Sequence, residues 1–277
     1  MSDSTFLLPD VTNATLSAVY TEIDKNSANN VFPSHVHNEC EIYINVSGDV
    51  SFVVENTVYP IIPGSVIITR PGEYHHCVYH SDALHRHFWI LISADKMNGL
   101  LTRFYDREAG RDNMLILSGA RFKELSELCY EICENKASDN DSLYRFFKLI
   151  HLINIAEVAE VKMDEEATVM DRALNFINSN IGENILIKDI SDAAFVSVST
   201  LERYFEKNLH TTPSSYLKKR RLALSADLLL GGASVTEACH RSGFSDCSKF
   251  IELFRKHYGL TPLKWKKEAS SRNAEPQ

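Results

Sequence analysis

Residues 34 to 93 alternate polar and apolar positions with the period of two that is typical of β-strands. The alternation is clearest in 41–46, 51–54 and 66–69, and turn residues such as Pro63-Gly64 and Pro71-Gly72 separate these runs. No helical pattern lies between one run and the next. The pattern therefore predicts an antiparallel sandwich or barrel.

Near Gly119 the hydrophobic period changes to that of helices. Phe122, Leu125 and Cys129 fall on one helical face, and a second helix is predicted from about Leu143 to Val161. That second helix has more apolar positions than one core-facing stripe requires. Either the barrel and the next domain clamp it from two sides, or it forms a dimer face, and the sequence leaves both interpretations open.

A polar, acidic stretch at 163–169 is typical of a linker, and the remainder reads as helices. Pro213 and Pro262 each suit the first turn of a helix after a threonine, and Gly231-Gly232 suits a helix end. The predicted helices span about 169–181, 187–194, 198–209, 213–230, 235–241, 246–258 and 262–269.

The helical half contains an internal repeat with an offset of 49 residues. The matching positions are Phe195, Ser199, Phe205, Lys207, Thr212 and Pro213, which recur as Phe244, Ser248, Phe254, Lys256, Thr261 and Pro262. Each copy has a short helix, a tight turn and a longer helix, which is the order of a helix-turn-helix. The joining helix is ~27 Å long at 1.5 Å per residue, so the copies suit successive major grooves ~34 Å apart.

Outward positions near the start of the two longer helices are candidates for reading bases. Arginine can bind guanine through two hydrogen bonds, glutamate can accept from cytosine, and serine or threonine suits either. The predicted base contacts are Ser199, Thr200, Glu202, Arg203, Ser248, Lys249 and Glu252. Basic residues elsewhere in this half suit phosphates: Lys218, Lys219, Arg220, Arg255, Lys256, Lys264 and Lys266.

Charge supports a different partner for each half. The chain of 277 residues has a formal net charge of −8, but residues 1–169 have a balance of −12 and residues 170–277 a balance of +4. The start of the chain lacks the basic residues of a signal peptide, and no apolar run reaches the ~18 residues of a membrane helix. Six scattered cysteines without a C-x-x-C pair predict reduced thiols. We therefore expect a cytoplasmic protein with no membrane partner.

Residues 170–268 resemble the DNA-binding domain of the arabinose-regulator (AraC-type) family of bacterial transcription factors. The resemblance implies two helix-turn-helix units that a long helix joins and that contact adjacent major grooves of double-stranded DNA. His210 stands where the family usually has Gly, and strains the first unit if that turn needs a positive φ. Cys239 stands where the family usually has Ala. The matching stretches are Ser199–Phe205, Pro213–Leu217, Arg221-Leu222, Leu228-Leu229, Gly243–Asp246 and Phe254–Pro262.

Residues 30–93 resemble the cupin-like sensor domain of the same family. His35, His37, Glu41 and Gly48 reproduce the motif H-x-H-x3-E-x6-G, and Gly64, Pro71-Gly72 and His75 approximate the second cupin motif. In metal-dependent cupins, the positions of the three histidines and Glu41 would bind a divalent ion. Sensor domains of this kind usually bind a small molecule without catalysis, so we predict no catalytic residue, metal or cofactor. The predicted effector-binding residues are His35, His37, Glu41, Tyr43, His75, Arg86 and Trp89.

The resulting interpretation is a two-domain α+β transcription regulator, not an enzyme, that senses a small polar molecule such as a sugar. Activation is the family's usual outcome, and a homodimer and RNA polymerase are the further partners expected. Two alternatives stay open: a metal-dependent cupin enzyme fused to a DNA-binding domain, and a DNA-binding protein whose barrel only dimerises. The predicted domains are a cupin-like barrel at 1–115, a helical dimerisation segment at 116–162, the linker at 163–169, an all-α double helix-turn-helix at 170–269 and a tail at 270–277.

Overall fold

The computed structural model describes residues 2–7, 15–23, 35–93, 99–117, 119–134, 139–160 and 165–272. The chain divides into two compact units, Met1–Met163 and Asp164–Gln277. Most of the predicted tail, from residue 273 onwards, lies outside the described residues. Within the described part of the chain, no helix is both long and apolar enough to cross a membrane.

The N-terminal unit contains two antiparallel sheets, which confirms the predicted β domain. A seven-stranded sheet has the order β1-β2-β8-β3-β6-β9-β10, and a three-stranded sheet has the order β5-β4-β7. Two strands, β1 and β2, precede the region in which the sequence predicts strands. The strands are β1 Ser2–Leu7, β2 Thr15–Ile23, β3 Cys40–Ser47, β4 Val50–Val54, β5 Thr57–Ile61, β6 Ser65–Thr69, β7 His75–Tyr79, β8 His85–Ser93, β9 Met114–Ile116 and β10 Glu157–Val158.

Strand β3 contributes to two separate cores because its side chains alternate between the faces of the large sheet. Ile42 and Ile44 belong to the core between this sheet and the helices, together with residues such as Leu125. Tyr43 belongs to the core between the two sheets, where Phe52 of β4 packs against it. The polar residue Glu41 shares the face of Tyr43, so it is carried into the space between the sheets.

The described residues of the N-terminal unit form three helices: α1 Thr102–Tyr105, α2 Gly119–Glu134 and α3 Asp139–Asn154. The prediction that the second long helix continues to Val161 is wrong. After Asn154 the chain turns, Arg103 donates to the Ala156 carbonyl at 2.5 Å, and β10 joins the large sheet beside β9. Backbone pairing at that sheet edge replaces the last two turns of the predicted helix.

The C-terminal unit is entirely helical in its described residues, with bounds close to those predicted except at its start. The expected linker at 163–169 is corrected, because α4 begins at Glu165. Acidic residues suit the first turn of a helix, and Glu166 also accepts hydrogen bonds from Lys207 at 2.7 Å and Asn208 at 2.6 Å. The helices are α4 Glu165–Ser179, α5 Ile187–Ala193, α6 Val198–Leu209, α7 Pro213–Leu230, α8 Val235–Arg241, α9 Cys247–Tyr258 and α10 Pro262–Arg272.

The repeat becomes two helix-turn-helix units, α5–α6 and α8–α9, with α7 between them. The two longer helices end alike: His210 after α6 has a φ of 47°, and Gly259 after α9 has a φ of 75°. The turn therefore does require a positive φ, and His210 adopts the conformation that glycine adopts more easily.

Candidate effector site and nucleic-acid interface

Three histidines and one glutamate converge where β3 of the large sheet faces β7 of the small sheet. Glu41 Oε2 lies 3.1 Å from His37 Nε2 and 3.4 Å from His75 Nε2. His35 joins them through a backbone bridge to His75, with N···O distances of 3.3 and 3.2 Å. One nitrogen or oxygen from each of the four side chains lies within 4.8 Å of the others. The structure thus brings together four of the seven predicted effector residues.

A buried ion pair holds His75 in its orientation. The His75 Nδ1 lies 2.8 Å from the Glu73 carbonyl, so it donates there and Nε2 faces Glu41. The Glu73 carboxylate accepts hydrogen bonds from both terminal nitrogens of Arg107, at 2.6 and 2.5 Å, and from the Gly110 amide at 2.9 Å. These bonds fix the turn that precedes β7.

The buried Glu41 carboxylate needs a positive charge beside it. Burial by itself raises the pKa of Glu41, but the charge of His75 and the hydrogen bond of His37 outweigh it and hold that pKa well below its usual range. Burial lowers the pKa of His75, and the Glu41 carboxylate more than compensates and raises it. Because His75 Nδ1 donates to the Glu73 carbonyl, a neutral His75 would direct the lone pair of Nε2 at the Glu41 carboxylate.

A divalent ion fits the same place. Three imidazole nitrogens and a carboxylate oxygen are ligands that iron and manganese accept. Glu41 is 2% exposed, and its Oε1 has no hydrogen-bond partner among the described residues. This donor set agrees with the metal-binding positions of the cupins that the sequence resembles.

Tyr43 and Trp89 extend this polar region between the sheets. They lie opposite each other on β3 and β8, with ring centroids 4.8 Å apart. The ring of His87 lies 5.0 Å from that of Tyr43 and 5.3 Å from that of Trp89. Burial, with a smaller contribution from His85, lowers the pKa of His87 to about 3, so this imidazole is neutral at physiological pH.

The prediction that Arg86 belongs to the effector site is wrong, because the structure does not bring it to the other six predicted residues. It lies on β8 between His85 and His87, and alternation directs it to the opposite face of the sheet. Its side chain is 44% exposed, and Nε donates to Glu22 of β2 at 2.8 Å.

A separate cleft of about 410 Å³ contains none of the predicted effector residues. It is lined by Thr102, Arg103, Asp106, Arg107, Asp112, Asn154 and Val158.

The predicted base-reading side chains lie on the outer faces of α6 and α9. Leu201 and Phe205 of α6 are buried, and so are Phe250 and Phe254 of α9, which directs the intervening polar positions outward. Both helices have side-chain N-caps: Ser197 accepts from the Thr200 amide, and Asp246 from those of Ser248 and Lys249. The exposed candidates are Ser199, Glu202, Arg203, Ser248, Lys249 and Glu252, and Thr200 is half-buried.

Two of the predicted phosphate contacts have structural roles instead. Arg220 is buried, and its Nε donates to Asn178 Oδ1 at 2.9 Å, so helix periodicity places it inward. Lys266 donates to the Gly232 and Ala233 carbonyls at 2.6 and 2.8 Å, just beyond the end of α7. The remaining five, Lys218, Lys219, Arg255, Lys256 and Lys264, are exposed.

Known proteins match both units of the chain. Residues 21–146 match the AraC-like ligand binding domain, and residues 190–268 match a helix-turn-helix domain. The chain belongs to the AraC family of transcription regulators. It is similar to the transcriptional activator RhaR of Mannheimia succiniciproducens, with 24% identity over 242 residues that cover 85% of this chain and 87% of the relative. The transcriptional activator RhaS of Escherichia coli O6:H1 is 26% identical over 241 residues, with 83% and 86% covered.

Among solved structures, an AraC-type regulator from Chromobacterium violaceum is 30% identical over 38% of this chain and 92% of its own, with a TM-score of 0.35.

The effector set predicted from the sequence of this AraC-family protein leaves out three residues of the polar region: Cys77, Tyr79 and His87. Tyr79 belongs to the same core between the sheets as Tyr43, and Cys77 packs against that core. Strand parity could have identified these residues, because Cys77 and Tyr79 share the face of His75, and His87 shares the face of Trp89.

Proposed function

We propose that this AraC-family protein is a transcription activator that reads DNA with both helix-turn-helix units and responds to a small polar effector. The duplicated unit carries the proposal: α6 and α9 each have a buried aromatic core, a capped start and an exposed polar face. The excess of basic residues in this half supports a phosphate backbone as the partner. The relatives RhaR and RhaS, both transcriptional activators, support activation.

The effector binds between the two sheets, against Glu41, His75, Tyr43 and Trp89. The carboxylate and imidazoles suit hydroxyl groups, and the two aromatic rings suit the flat face of a ring-bearing ligand. A sugar combines both features. A divalent ion held by His35, His37, Glu41 and His75 would supply coordination positions for an oxygen of such a ligand.

Regulation requires that the effector bind one arrangement of the protein more tightly than another. We expect a homodimer, for which α3 offers the exposed apolar side chains of Tyr144 and Phe147. Effector binding would change how the dimer presents its DNA-reading helices, and thereby its contact with RNA polymerase.

DNA selection tests the proposal. Full-length protein is used to select sites from a random-sequence duplex library, and footprinting is expected to show two contacts about one helical turn apart. Arg203→Ala should cost about 1–3 kcal/mol on the selected site and relax one base position. Glu206→Ala, on the same helix, is the matched control. No enrichment from the library would contradict the proposal, and an equal loss on random DNA would reassign Arg203 to a phosphate.

A thermal-melting panel of sugars, small acids, aromatic compounds and divalent metals tests the effector class. A ligand at 100 times its dissociation constant adds ~2.7 kcal/mol to stability, which moves the melting midpoint by several degrees. An organic compound should shift the wild type and fail to shift Tyr43→Ala.

A metal-dependent cupin enzyme is the second candidate, and the convergence of His35, His37, Glu41 and His75 favours it. It predicts stoichiometric iron or manganese in purified protein, lost on His37→Ala. Protein that contains no metal and gains none on incubation with either ion would exclude this candidate.

A further inference from the structure

A second cluster of metal-ligating side chains lies outside the barrel, in the second helix-turn-helix unit. Cys239 and His240 are near the end of α8, and Cys247 is the first residue of α9. One ligand atom from each lies within 4.8 Å of the other two, and Cys247 Sγ is 3.9 Å from His240 Nε2. Neither cysteine is in a disulfide.

The three ligand atoms lie at most 4.8 Å apart, which is within about 1 Å of the spacing around a tetrahedral ion. Zinc–sulfur bonds of ~2.3 Å and zinc–nitrogen bonds of ~2.05 Å place two sulfurs ~3.8 Å apart and a sulfur and a nitrogen ~3.6 Å apart. The observed 3.9 Å between Cys247 and His240 therefore needs a contraction of a few tenths of an ångström. Side-chain rotation can supply it, because both residues lie on the surface side of the cluster.

Access and anchoring also suit an ion. Cys239 is buried and its thiol lies 3.6 Å from the Phe244 carbonyl in the turn, so one ligand is fixed to the core of the unit. His240 is exposed and Cys247 half-buried, which leaves a path from solvent. Two thiolates and one imidazole form a soft donor set that prefers zinc or copper(I) to magnesium, calcium or manganese.

We propose that Cys239, His240 and Cys247 form a binding site for a thiophilic metal ion, of which Zn²⁺ is the representative. Water occupies the fourth tetrahedral position. The ion links the end of α8 to the first turn of α9, immediately before Ser248 and Lys249. Metal occupancy therefore stiffens the turn that presents the second DNA-reading helix.

Cobalt(II) is the probe, because a thiolate ligand gives a charge-transfer band that a nitrogen and oxygen site cannot give. Full-length protein, stripped of metal and kept reduced with a phosphine, is titrated with Co²⁺ and then with Zn²⁺. We expect a thiolate–cobalt band that saturates at one ion per chain, with the d–d absorption of tetrahedral cobalt, and its loss as Zn²⁺ displaces the probe.

Variants locate the site. Cys239→Ala and Cys247→Ser should each abolish the band, and His240→Ala should weaken Co²⁺ binding by about tenfold or more. Cys133→Ala controls for a thiol elsewhere, and His37→Ala controls for the barrel cluster. Both controls should retain the band.

One further measurement keeps the test decisive. Circular dichroism in the presence of a chelator checks that the variants fold. Cys247→Ser is the decisive variant, because it replaces a half-buried sulfur with oxygen and leaves the Asp246 N-cap in place. The proposal is overturned if the wild type shows no thiolate band, or if the band survives in a folded Cys247→Ser protein.

Discussion

Replacing Gly243 by alanine should disrupt the second helix-turn-helix unit far more than an equivalent change at Gly259. Both glycines have a positive φ, 81° and 75°. A Cβ at Gly243 would lie 2.5 Å from the Ile181 carbonyl oxygen and 2.7 Å from Arg221 Nε, whereas a Cβ at Gly259 meets nothing within 4 Å. The left-handed conformation costs ~1–2 kcal/mol at either position. Overpacking adds ~1–3 kcal/mol at Gly243 alone, so we expect ~2–5 kcal/mol there.

The loss at Gly243 includes a hydrogen-bonded contact that the new methyl group displaces. Arg221 donates to the Ile181 carbonyl at 3.0 Å and to the Glu183 carbonyl at 2.5 Å, and it cannot keep both once a methyl group occupies its place. Because the atom nearest to the new methyl group is the backbone oxygen of Ile181, movement of the flexible Arg221 side chain alone cannot relieve the strain.

Urea unfolding of the full-length protein measures the difference. Trp265 packs 4.8 Å from the Tyr258 ring, so its fluorescence reports this unit, and a Trp89→Phe background removes the second tryptophan. Gly243→Ala should lower the unfolding midpoint about 1.5 to 4 times as much as Gly259→Ala. Equal shifts would refute the argument, because they would mean that backbone conformation, and not close approach, decides the cost.

Three further predictions concern charge and backbone strain. Lys219→Ala should weaken binding to all DNA sequences alike, reduce the salt dependence of log K by ~1 and leave stability unchanged. Arg220→Ala should instead lower the urea midpoint, because Arg220 is buried; a loss of stability in Lys219→Ala and not in Arg220→Ala would contradict this. In the presence of a chelator, the Glu41–His75 pair should stabilise the N-terminal unit most at pH ~4.5–6.5. The stabilisation is lost at higher pH as His75, whose pKa is raised, loses its proton, and at lower pH as Glu41, whose pKa is lowered, gains one. Urea midpoints of Glu41→Gln that show the same pH dependence as the wild type would disprove this. His210→Gly should raise the free energy of unfolding of the C-terminal unit by up to ~1 kcal/mol, because glycine adopts a φ of 47° without strain. An unchanged urea midpoint would contradict this and show that contacts of His210 offset the strain.

Local signals made most of the helical unit predictable from the sequence. Thr212 and Pro213 mark the start of α7, and Ser197 and Asp246 accept amide hydrogen bonds at the starts of α6 and α9. These features act within one turn of a helix, so adjacent residues are sufficient to reveal them. The repeat added long-range information, because each copy supports the interpretation of the other.

Errors arose where distant residues compete with local pattern. The apolar run after Asn154 continues a helical period, yet pairing with β9 and the hydrogen bond from Arg103 end α3 there. The acidic run at 163–169 resembles a linker until Lys207 and Asn208 anchor Glu166. Local composition does not reveal such distant partners.

The sequence by itself determined the two-part α+β organisation, the duplicated helix-turn-helix and the residue types available for each task. Only the tertiary structure decided which of them meet. It joined His35, His37, Glu41 and His75, the first and last of which are 40 positions apart. It also placed Arg86 on the other face of the sheet, Arg220 in the core, and Cys239 beside Cys247. The physical reason is that sequence periodicity predicts which face of a strand or helix a side chain occupies, whereas strand register and helix packing determine which residues that face contacts.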